Sequence, residues 1–199
     1  MTTIIDYGAG NLFSVRNALN YLGCENKISS DKKDIISADR LILPGVCAFG
    51  DAMDKLRASG LIDLIKQEAV KKPFLGICLG MQLLFEESHE FGRHEGLGLI
   101  PGTVKLMEPE GNLAIPQMGW NSLEFNTPCP LLKNVSEGSY VYFVHSYAAV
   151  CPDSYVSAYT DYGGKVTALV GSGNIYGAQF HPEKSGETGL DILKNFTEL

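Results

Sequence analysis

In the first half of the chain, short apolar runs alternate with stretches whose apolar residues recur at helical spacing. Runs of four apolar residues bounded by turn residues are typical of buried strands, whereas recurrence every three or four residues is typical of helices. The predicted strands are residues 2–5, 40–43 and 74–77, together with a more polar strand at residues 25–28. The predicted helices are residues 12–22, 49–59, 61–71 and 79–88. Strands and helices in this order predict a parallel sheet with helices on both faces, with sites at the carboxyl ends of the strands.

Beyond a glycine-rich loop at residues 92–102 the pattern changes to short runs typical of strands. These predicted strands are residues 104–107, 113–117, 122–125, 140–144, 155–160, 166–170 and 175–179. A last helix is predicted over residues 188–197. We therefore predict an α/β fold with a mostly parallel central sheet and antiparallel additions. Because 199 residues suffice for one well-packed core and are few for two, residues 1–199 are expected to form a single domain.

Composition narrows the possible functions. The 16 basic and 23 acidic residues give a net charge of −7, and no stretch combines Lys and Arg with aromatic residues, so a nucleic-acid surface is not expected. The five cysteines are scattered without C-x-x-C spacing, which argues against a disulfide framework and a zinc site. No leader or apolar span is evident, so a cytoplasmic protein without membrane contact is expected. The glycines at 8 and 10 lack the third glycine of a dinucleotide fingerprint, and neither a cofactor nor a metal is expected.

Cys78 lies where a predicted strand turns into a helix, with glycines two residues before and two residues after it. Gly76 and Gly80 allow the strand and the helix to pass close together, as in a nucleophile elbow. The spacing predicts a strained backbone at Cys78, with its sulfur exposed at the sheet edge. At the start of the helix, N–H groups can stabilise a thiolate, and that of Leu79 can donate to an oxyanion. We interpret Cys78 as a nucleophile; the alternative is a buried structural cysteine.

A cysteine nucleophile needs a base and a group that orients the base, and the chain has four histidines. Two lie among charged residues and glycines, and His145 ends a strand rich in aromatic residues. His181 follows an apolar strand, and Pro182 blocks a helix, so an extended backbone is expected to put His181 and Glu183 on one side. The hypothesis is a triad of Cys78, His181 and Glu183. The alternative for the last two is a surface turn.

Two further positions follow from the same geometry. Gln82 is one helical turn after Cys78 and on the same face, where its amide can meet a polar substrate or simply face solvent. Pro-Gly-Val-Cys at residues 44–47 leaves a neighbouring strand, and a backbone N–H of this segment can be a second oxyanion donor.

Together these motifs resemble the class I, triad-type glutamine amidotransferases. Gly-Ile-Cys-Leu-Gly at residues 76–80 and His-Pro-Glu at 181–183 are shared by the whole class. Met-Gly-Trp-Asn at 118–121 and Asp-Tyr-Gly-Ala-Gly-Asn-Leu at 6–12 are more specific, and resemble the glutaminase subunits that act in histidine biosynthesis. The resemblance covers nearly the whole chain and implies the flavodoxin-like fold of that class.

The resemblance implies hydrolysis of glutamine to glutamate and ammonia through a cysteine thioester. It also implies a heterodimer in which the ammonia passes to a (β/α)₈-barrel cyclase that acts on a nucleotide substrate. The implied oxyanion donors belong to Val46, Cys47 and Leu79. The implied glutamine-binding residues are Gly45, Gln82, Ser146 and Tyr147. The implied interface residues are Asn11, Trp120, Asn121 and Lys184, although the only tryptophan of a small domain is often simply core.

One position departs from the family pattern, which is Pro-Gly-Val-Gly where this chain has Cys47 as the fourth residue. A β-carbon there restricts positive φ, at a cost of about 1–3 kcal/mol, so Cys47 is expected to alter formation of the oxyanion hole. Pairing of Cys47 with Cys78 under oxidation is a second hypothesis. Three alternatives to the implied function stay open: another amidotransferase glutaminase, a free-standing γ-glutamyl hydrolase, and a catalytically silent regulatory module.

Overall fold

The computed structural model describes residues 1–199 and divides them into fourteen strands and six α-helices. The strands are β1 (Thr2–Ile5), β2 (Asn26–Ser29), β3 (Arg40–Gly45), β4 (Phe74–Cys78), β5 (Glu87–Ser88), β6 (His94–Glu95), β7 (Thr103–Leu106), β8 (Gln117–Ser122), β9 (Glu124–Phe125), β10 (Tyr140–His145), β11 (Tyr147–Val150), β12 (Val156–Asp161), β13 (Lys165–Ser172) and β14 (Ile175–Ala178). The helices are α1 (Leu12–Tyr21), α2 (Lys32–Ser37), α3 (Phe49–Ser59), α4 (Ile62–Ala69), α5 (Leu79–Gln82) and α6 (Gly186–Thr197).

The main sheet has eight strands in the order β2-β1-β3-β4-β14-β13-β12-β9. The first five run parallel, and β13, β12 and β9 add to them in antiparallel order. The prediction of an α/β fold with a mostly parallel sheet and antiparallel additions is confirmed. In parallel pairs the carboxyl ends of the strands meet at one edge. Here β3, β4 and β14 end side by side at that edge, and each is followed by a candidate site segment.

Two apolar cores lie on opposite faces of the main sheet. Successive strand residues point to opposite faces, so Ile5 packs in the core with α2 to α5 while Ile4 packs in the core with α1 and α6. The pattern repeats in β3, where Leu41 and Leu43 face one core and Ile42 faces the other. Burial on both faces explains why these strands are continuous apolar runs rather than alternating ones.

Two smaller sheets flank the main one. Strands β8 and β10 form an antiparallel pair, and β11, β7, β5 and β6 form a four-stranded sheet. Strands β5, β6 and β11 were not predicted, because two-residue strands are too short for a periodic pattern and Tyr147–Val150 follows β10 after a single residue. Strand β8 was also missed, apart from its first and last residues, which belong to the strands predicted at 113–117 and 122–125. The strand predicted at 113–117 is wrong: only Gln117 is in a strand, and Leu113 is 45% exposed.

Two helix predictions in the first half also need correction. Helix α2 was missed because only Ile35 of its six residues is buried, so it has no amphipathic stripe; Asp31 caps it by accepting the N–H of Lys33 at 2.8 Å. The helix predicted over 79–88 ends at Gln82. The carbonyls of Leu83 and Leu84 accept backbone N–H groups of the loop at 97–100, at 2.8 to 3.0 Å, instead of continuing the helix. No helix is long and apolar enough to cross a membrane.

Candidate active site around Cys78

Cys78 occupies a tight corner between β4 and α5. Its backbone has φ 55° and ψ −112°, a region that L-residues rarely adopt, in agreement with the strained corner predicted. A β-carbon at Gly76 would lie 2.5 Å from the carbonyl oxygen of Gly80, and one at Gly80 would overlap the carbonyl oxygen of Leu43. Both glycines are therefore required for the close approach. The expectation of an exposed sulfur is wrong: Cys78 is only 7% exposed and lies at the bottom of a cavity.

His181 and Glu183 form a hydrogen-bonded pair that is almost sealed from solvent. Glu183 Oε1 lies 2.8 Å from His181 Nδ1, and the two side chains are 1% and 3% exposed. The backbone is extended at His181, with φ −97° and ψ 95°, as predicted. It is not extended beyond it, because Pro182–Lys184 form a 3₁₀ turn, which Pro182 favours by fixing φ. The turn, rather than a strand, brings the carboxylate back to the ring.

Strand pairing and one serine hold this pair beside the cysteine. Strands β14 and β4 pair in parallel with Ala178 opposite Ile77, so the segments that follow them leave the sheet together. The hydroxyl of Ser185 donates to the carbonyl of His181 at 2.7 Å and accepts the N–H of Tyr142 at 2.9 Å. The His181 N–H donates to the carbonyl of Tyr142, also at 2.9 Å. The backbone of His181 is thus fixed at both its N–H and its carbonyl, and Glu183 holds the ring at Nδ1.

The electrostatics of His181 favour the imidazolium. Burial lowers the pKa of His181, but hydrogen bonds and charge from Cys78 and Glu183 raise it more, so that the pKa is about 9. Nδ1 faces Glu183, which leaves Nε2 for Cys78. A buried cysteine, a ring that holds a proton at neutral pH and a carboxylate that orients the ring are the parts needed for nucleophilic attack followed by proton transfer.

The end of β3 and the two residues that follow it form the opposite wall of the site. Gly45 pairs with Cys78, and a β-carbon at Gly45 would lie 2.8 Å from the N–H nitrogen of Gly80. The hydroxyl of Tyr7, itself 5% exposed, donates to the carbonyl of Pro44 at 3.0 Å and anchors this segment. Cys47 has φ 153°, within the range that favours glycine, so the β-carbon is placed where the family pattern has none.

These segments enclose a cavity of about 260 Å³ that opens to solvent. Its size suits one amino-acid-sized ligand, and its walls mix apolar atoms with a few polar groups. The lining residues are Gly45, Val46, Cys47, Cys78, Leu79, Gln82, Glu90, Val144, His145, Ser146, Tyr147 and His181. Every residue proposed for catalysis, oxyanion binding or glutamine binding lines it, except Glu183, which lies behind His181.

The model of the class I glutamine amidotransferase family matches residues 3–199. The chain belongs to this family. The subunit HisH of imidazole glycerol phosphate synthase from Listeria monocytogenes serotype 4b is 51% identical over 200 residues, which cover all of this chain and 96% of that one. HisH of Bacillus cereus ATCC 14579 is 52% identical over 197 residues, or 98% of this chain and 93% of that one.

Solved structures share this fold. PurLQS from Thermotoga maritima superposes with a TM-score of 0.76 at 23% identity, covering 99% of this chain and 97% of that chain. The crystal structure of another glutamine amidotransferase gives a TM-score of 0.75 at 19% identity, covering 98% of both chains. The fold that carries the elbow and the His-Pro-Glu turn of this class I amidotransferase is thus shared with both of these structures.

Gln82 lies in the cavity, but its amide N–H groups are already used. Nε2 donates to the carbonyl of Tyr147 at 2.9 Å and to Oε1 of Gln179 at 3.0 Å. Sequence reasoning missed Gln179, which is fully buried and has Nε2 3.8 Å from the sulfur of Cys78. The available signal was its position two residues before His181, since residues at that spacing share one face of a strand.

Two residues that do line the cavity were missed as well. His145 is 7% exposed, and its Nδ1 lies 2.9 Å from the carbonyl of Tyr147, to which it must donate. Burial lowers the pKa of His145 to about 4, so this second histidine is neutral beside the charged His181. Glu90 brings the only carboxylate of the cavity wall, and Oε2 accepts the N–H of Phe49 at 2.6 Å. No sequence pattern marks Glu90, which lies in the turn between β5 and β6.

The four residues proposed for an interface lie outside the cavity. Trp120 is 52% exposed and packs edge-to-face on Tyr142 at 6.0 Å, so it is not a core residue. Lys184 is exposed and is the last residue of the 3₁₀ turn that carries Glu183. Asn11 caps α1 by accepting the N–H of Ser14, and Asn121 accepts from Gln117 and donates to the carbonyl of Asp161. The first two are free to contact a partner; the asparagines also have structural roles.

Proposed function

We propose that this chain is the glutaminase subunit of imidazole glycerol phosphate synthase. It hydrolyses glutamine to glutamate and ammonia and passes the ammonia to a (β/α)₈ cyclase subunit, in the histidine biosynthesis of the cytoplasm. The observation that carries the proposal is the strained Cys78 in a cavity of about 260 Å³ beside the sealed pair of His181 and Glu183. The identity of 51–52% with HisH subunits over the whole chain supports the choice among amidotransferases.

In the first half-reaction, the Cys78 thiolate attacks the side-chain amide carbon of glutamine. The oxyanion formed accepts hydrogen bonds from the N–H of Leu79 and from the backbone of Val46 and Cys47. Collapse of this intermediate breaks the C–N bond, and His181 gives its proton to the leaving nitrogen, which departs as ammonia. A γ-glutamyl thioester and a neutral imidazole remain.

In the second half-reaction, neutral His181 takes a proton from water as the water oxygen attacks the thioester carbon. The C–S bond breaks, which releases glutamate and restores the thiolate and the imidazolium. Glu183 keeps Nδ1 protonated and the ring in place through both steps. Because the pKa of His181 is about 9, the resting enzyme already holds the proton that the first step needs.

The cavity wall offers matching groups for free glutamine. Both N–H groups of Gln82 are used within the protein, so we propose that Oε1 of Gln82 accepts from the substrate. Glu90 is placed to pair with the α-ammonium group, and the backbone of Gly45, Ser146 and Tyr147 with the remaining polar atoms. This set distinguishes an amino acid from a simple amide.

An exposed apolar surface supports a partner near the active site. Met118, Trp120 and Tyr140 are 64%, 52% and 60% exposed, and lie on the paired strands β8 and β10. The terminal atoms of Trp120 come within about 4.0 Å of where a β-carbon at Gly186 would be, just beyond the triad turn. We propose that the cyclase covers this surface, with Asn11, Asn121 and Lys184 at its edge.

Protection from alkylation tests the glutamine site. Glutamine should slow modification of Cys78 by iodoacetamide, as followed by peptide mass spectrometry, while Cys24 and Cys129, away from the cavity, react at unchanged rates. Asparagine, one methylene shorter, is the matched control and should protect less. Failure of millimolar glutamine to protect Cys78 would contradict the proposed substrate.

A further inference from the structure

A chain of buried amides connects the sulfur of Cys78 with the peptide carbonyl of Tyr147. Gln179 is the middle member and is 0% exposed, immediately after β14. Its own N–H donates to the carbonyl of Ala168 at 2.9 Å, which continues the ladder between β14 and β13 and fixes the backbone. Gln179 does not line the cavity, so it reaches the sulfur from within the protein rather than from the substrate side.

The carbonyl of Tyr147 fixes which atom donates in each hydrogen bond of this chain of amides. The oxygen of Tyr147 can only accept, so the group of Gln82 that faces it at 2.9 Å must be the amide nitrogen. The same nitrogen lies 3.0 Å from the side chain of Gln179, which must therefore present its oxygen there. Gln179 is left with Nε2 toward Cys78, at 3.8 Å from the sulfur. The side-chain N–H of Gln179 is therefore a hydrogen-bond donor to the sulfur of Cys78.

An N–H donor favours a thiolate over a thiol, because the charged sulfur is the stronger acceptor. We propose that Gln179 is a further catalytic residue, which donates to the sulfur of Cys78 and stabilises it as thiolate and as leaving group. Gln82 is a positioning residue in this arrangement, since it holds the oxygen of Gln179. The inference rests on the proposed role of Cys78 as nucleophile.

The arrangement also couples the nucleophile to the substrate wall. The carbonyl of Tyr147 accepts from both Gln82 and His145, so its two lone pairs are occupied and its peptide is fixed. A shift of this peptide moves Gln82, and through Gln82 the amide that faces the sulfur. The Ser146–Tyr147 segment, proposed to bind glutamine, and the thiolate are therefore not independent.

Alkylation of Cys78 without glutamine tests the donor directly. Gln179→Met and Gln179→Leu both remove the donor without adding a charge beside the sulfur, whereas Gln179→Glu would add one. A hydrogen bond to a charged group is worth about a factor of ten at the low end of its range, so at pH 7 iodoacetamide should modify Cys78 about tenfold more slowly in both variants. The pH profile of the alkylation rate should move to higher pH by about one unit in both variants. Gln82→Met should produce a smaller change of the same sign.

Gln117→Met is the matched control, because Gln117 is also 0% exposed and hydrogen-bonded but does not line the cavity. It should leave the alkylation rate of Cys78 unchanged. An unchanged rate and pH profile in either Gln179 variant that retains wild-type thermal unfolding would overturn the inference; Gln179→Leu is the reference if Gln179→Met does not fold. In glutamate release, the Gln179 variants should lose kcat at an unchanged KM. If the Gln179 variants slow alkylation of Cys78 as expected but the chain never hydrolyses glutamine, the proposed function is refuted while the inference that Gln179 donates to the sulfur still holds.

Discussion

Replacing Glu183 with glutamine removes one charge from the site and almost nothing else. The glutamine oxygen can still accept from His181 Nδ1 at the 2.8 Å position, and the volume is unchanged. Both side chains are nearly sealed from water, at 1% and 3% exposure, so screening of the lost charge is weak. The substitution therefore isolates the electrostatic part of the proposed triad.

The size of the effect follows from the titration of His181. Burial lowers its pKa, yet Cys78 and Glu183 together raise it from the ordinary 6.5 to about 9, a net preference for the imidazolium of about 3 kcal/mol. If Glu183 supplies about half of this, its loss lowers the pKa of His181 by at least about one unit. The ring stays mostly protonated at pH 7, but the imidazolium that the second half-reaction regenerates is stabilised by about 1.4 kcal/mol less, so glutaminase turnover at pH 7 should fall by about tenfold.

The sign of the pH dependence is fixed by the direction of the shift. A raised folded-state pKa gives stabilisation that is complete below about pH 6.5 and is lost as the pH rises through about 9. The wild-type free energy of unfolding should fall over that window by up to about 3 kcal/mol, and less in Glu183→Gln. NMR titration of the His181 imidazole and denaturation at pH 6.5 and 9 measure both quantities. An imidazole that still titrates near 9 in the variant, with turnover within twofold, would refute this reasoning.

Three further substitutions probe other parts of the site. Cys47→Gly removes a β-carbon at φ 153° and should raise partner-activated turnover about fivefold or more, as about 1 kcal/mol or more of strain disappears; unchanged turnover contradicts it. Gly80→Ala should lower the free energy of unfolding by about 3 kcal/mol or more, since its β-carbon overlaps the Leu43 carbonyl, whereas Gly171→Ala, with its nearest contact at 3.4 Å, should cost under about 1 kcal/mol. The wild-type free energy of unfolding should fall between pH 6.5 and 4, because the pKa of His145 is lowered to about 4 in the folded protein and only the unfolded chain protonates this residue in that range. His145→Asn should reduce the fall. An equal fall in the variant and the wild type, measured by denaturant titration, would contradict the prediction.

The parallel half of the fold was predictable because its strands are buried on both faces and its helices have one apolar stripe. Helix α2 was not, since it is held by the cap at Asp31 and buries Ile35 alone. The early end of α5 was not either: the carbonyls of Leu83 and Leu84 bond to a loop at 97–100, a tertiary contact that local periodicity does not contain. Local periodicity therefore predicts helices that pack along one apolar face. It does not predict a helix that is held mainly by its cap, or a helix end that is set by hydrogen bonds to a distant segment.

Site prediction divided in a similar way. Cys78, His181 and Glu183 were found because glycine spacing and His-Pro-Glu are short local motifs. Gln179 and Glu90 were not, because their chemistry depends on neighbours about a hundred and about forty residues away, at Cys78 and Phe49. The motif at residues 6–12 contains Tyr7 but predicts no role for its side chain. In the structure the Tyr7 hydroxyl donates to the carbonyl of Pro44.

The most direct test of the central claim is glutamate release from glutamine by the purified chain, alone and with the cyclase loaded with its nucleotide ligand. The proposed function predicts a rate that is low for the isolated chain, rises steeply only with the loaded partner, and is abolished by Cys78→Ser. A rate that the partner leaves unchanged would contradict the coupled glutaminase. A high unchanged rate would indicate a free-standing hydrolase, and an absent one a silent module.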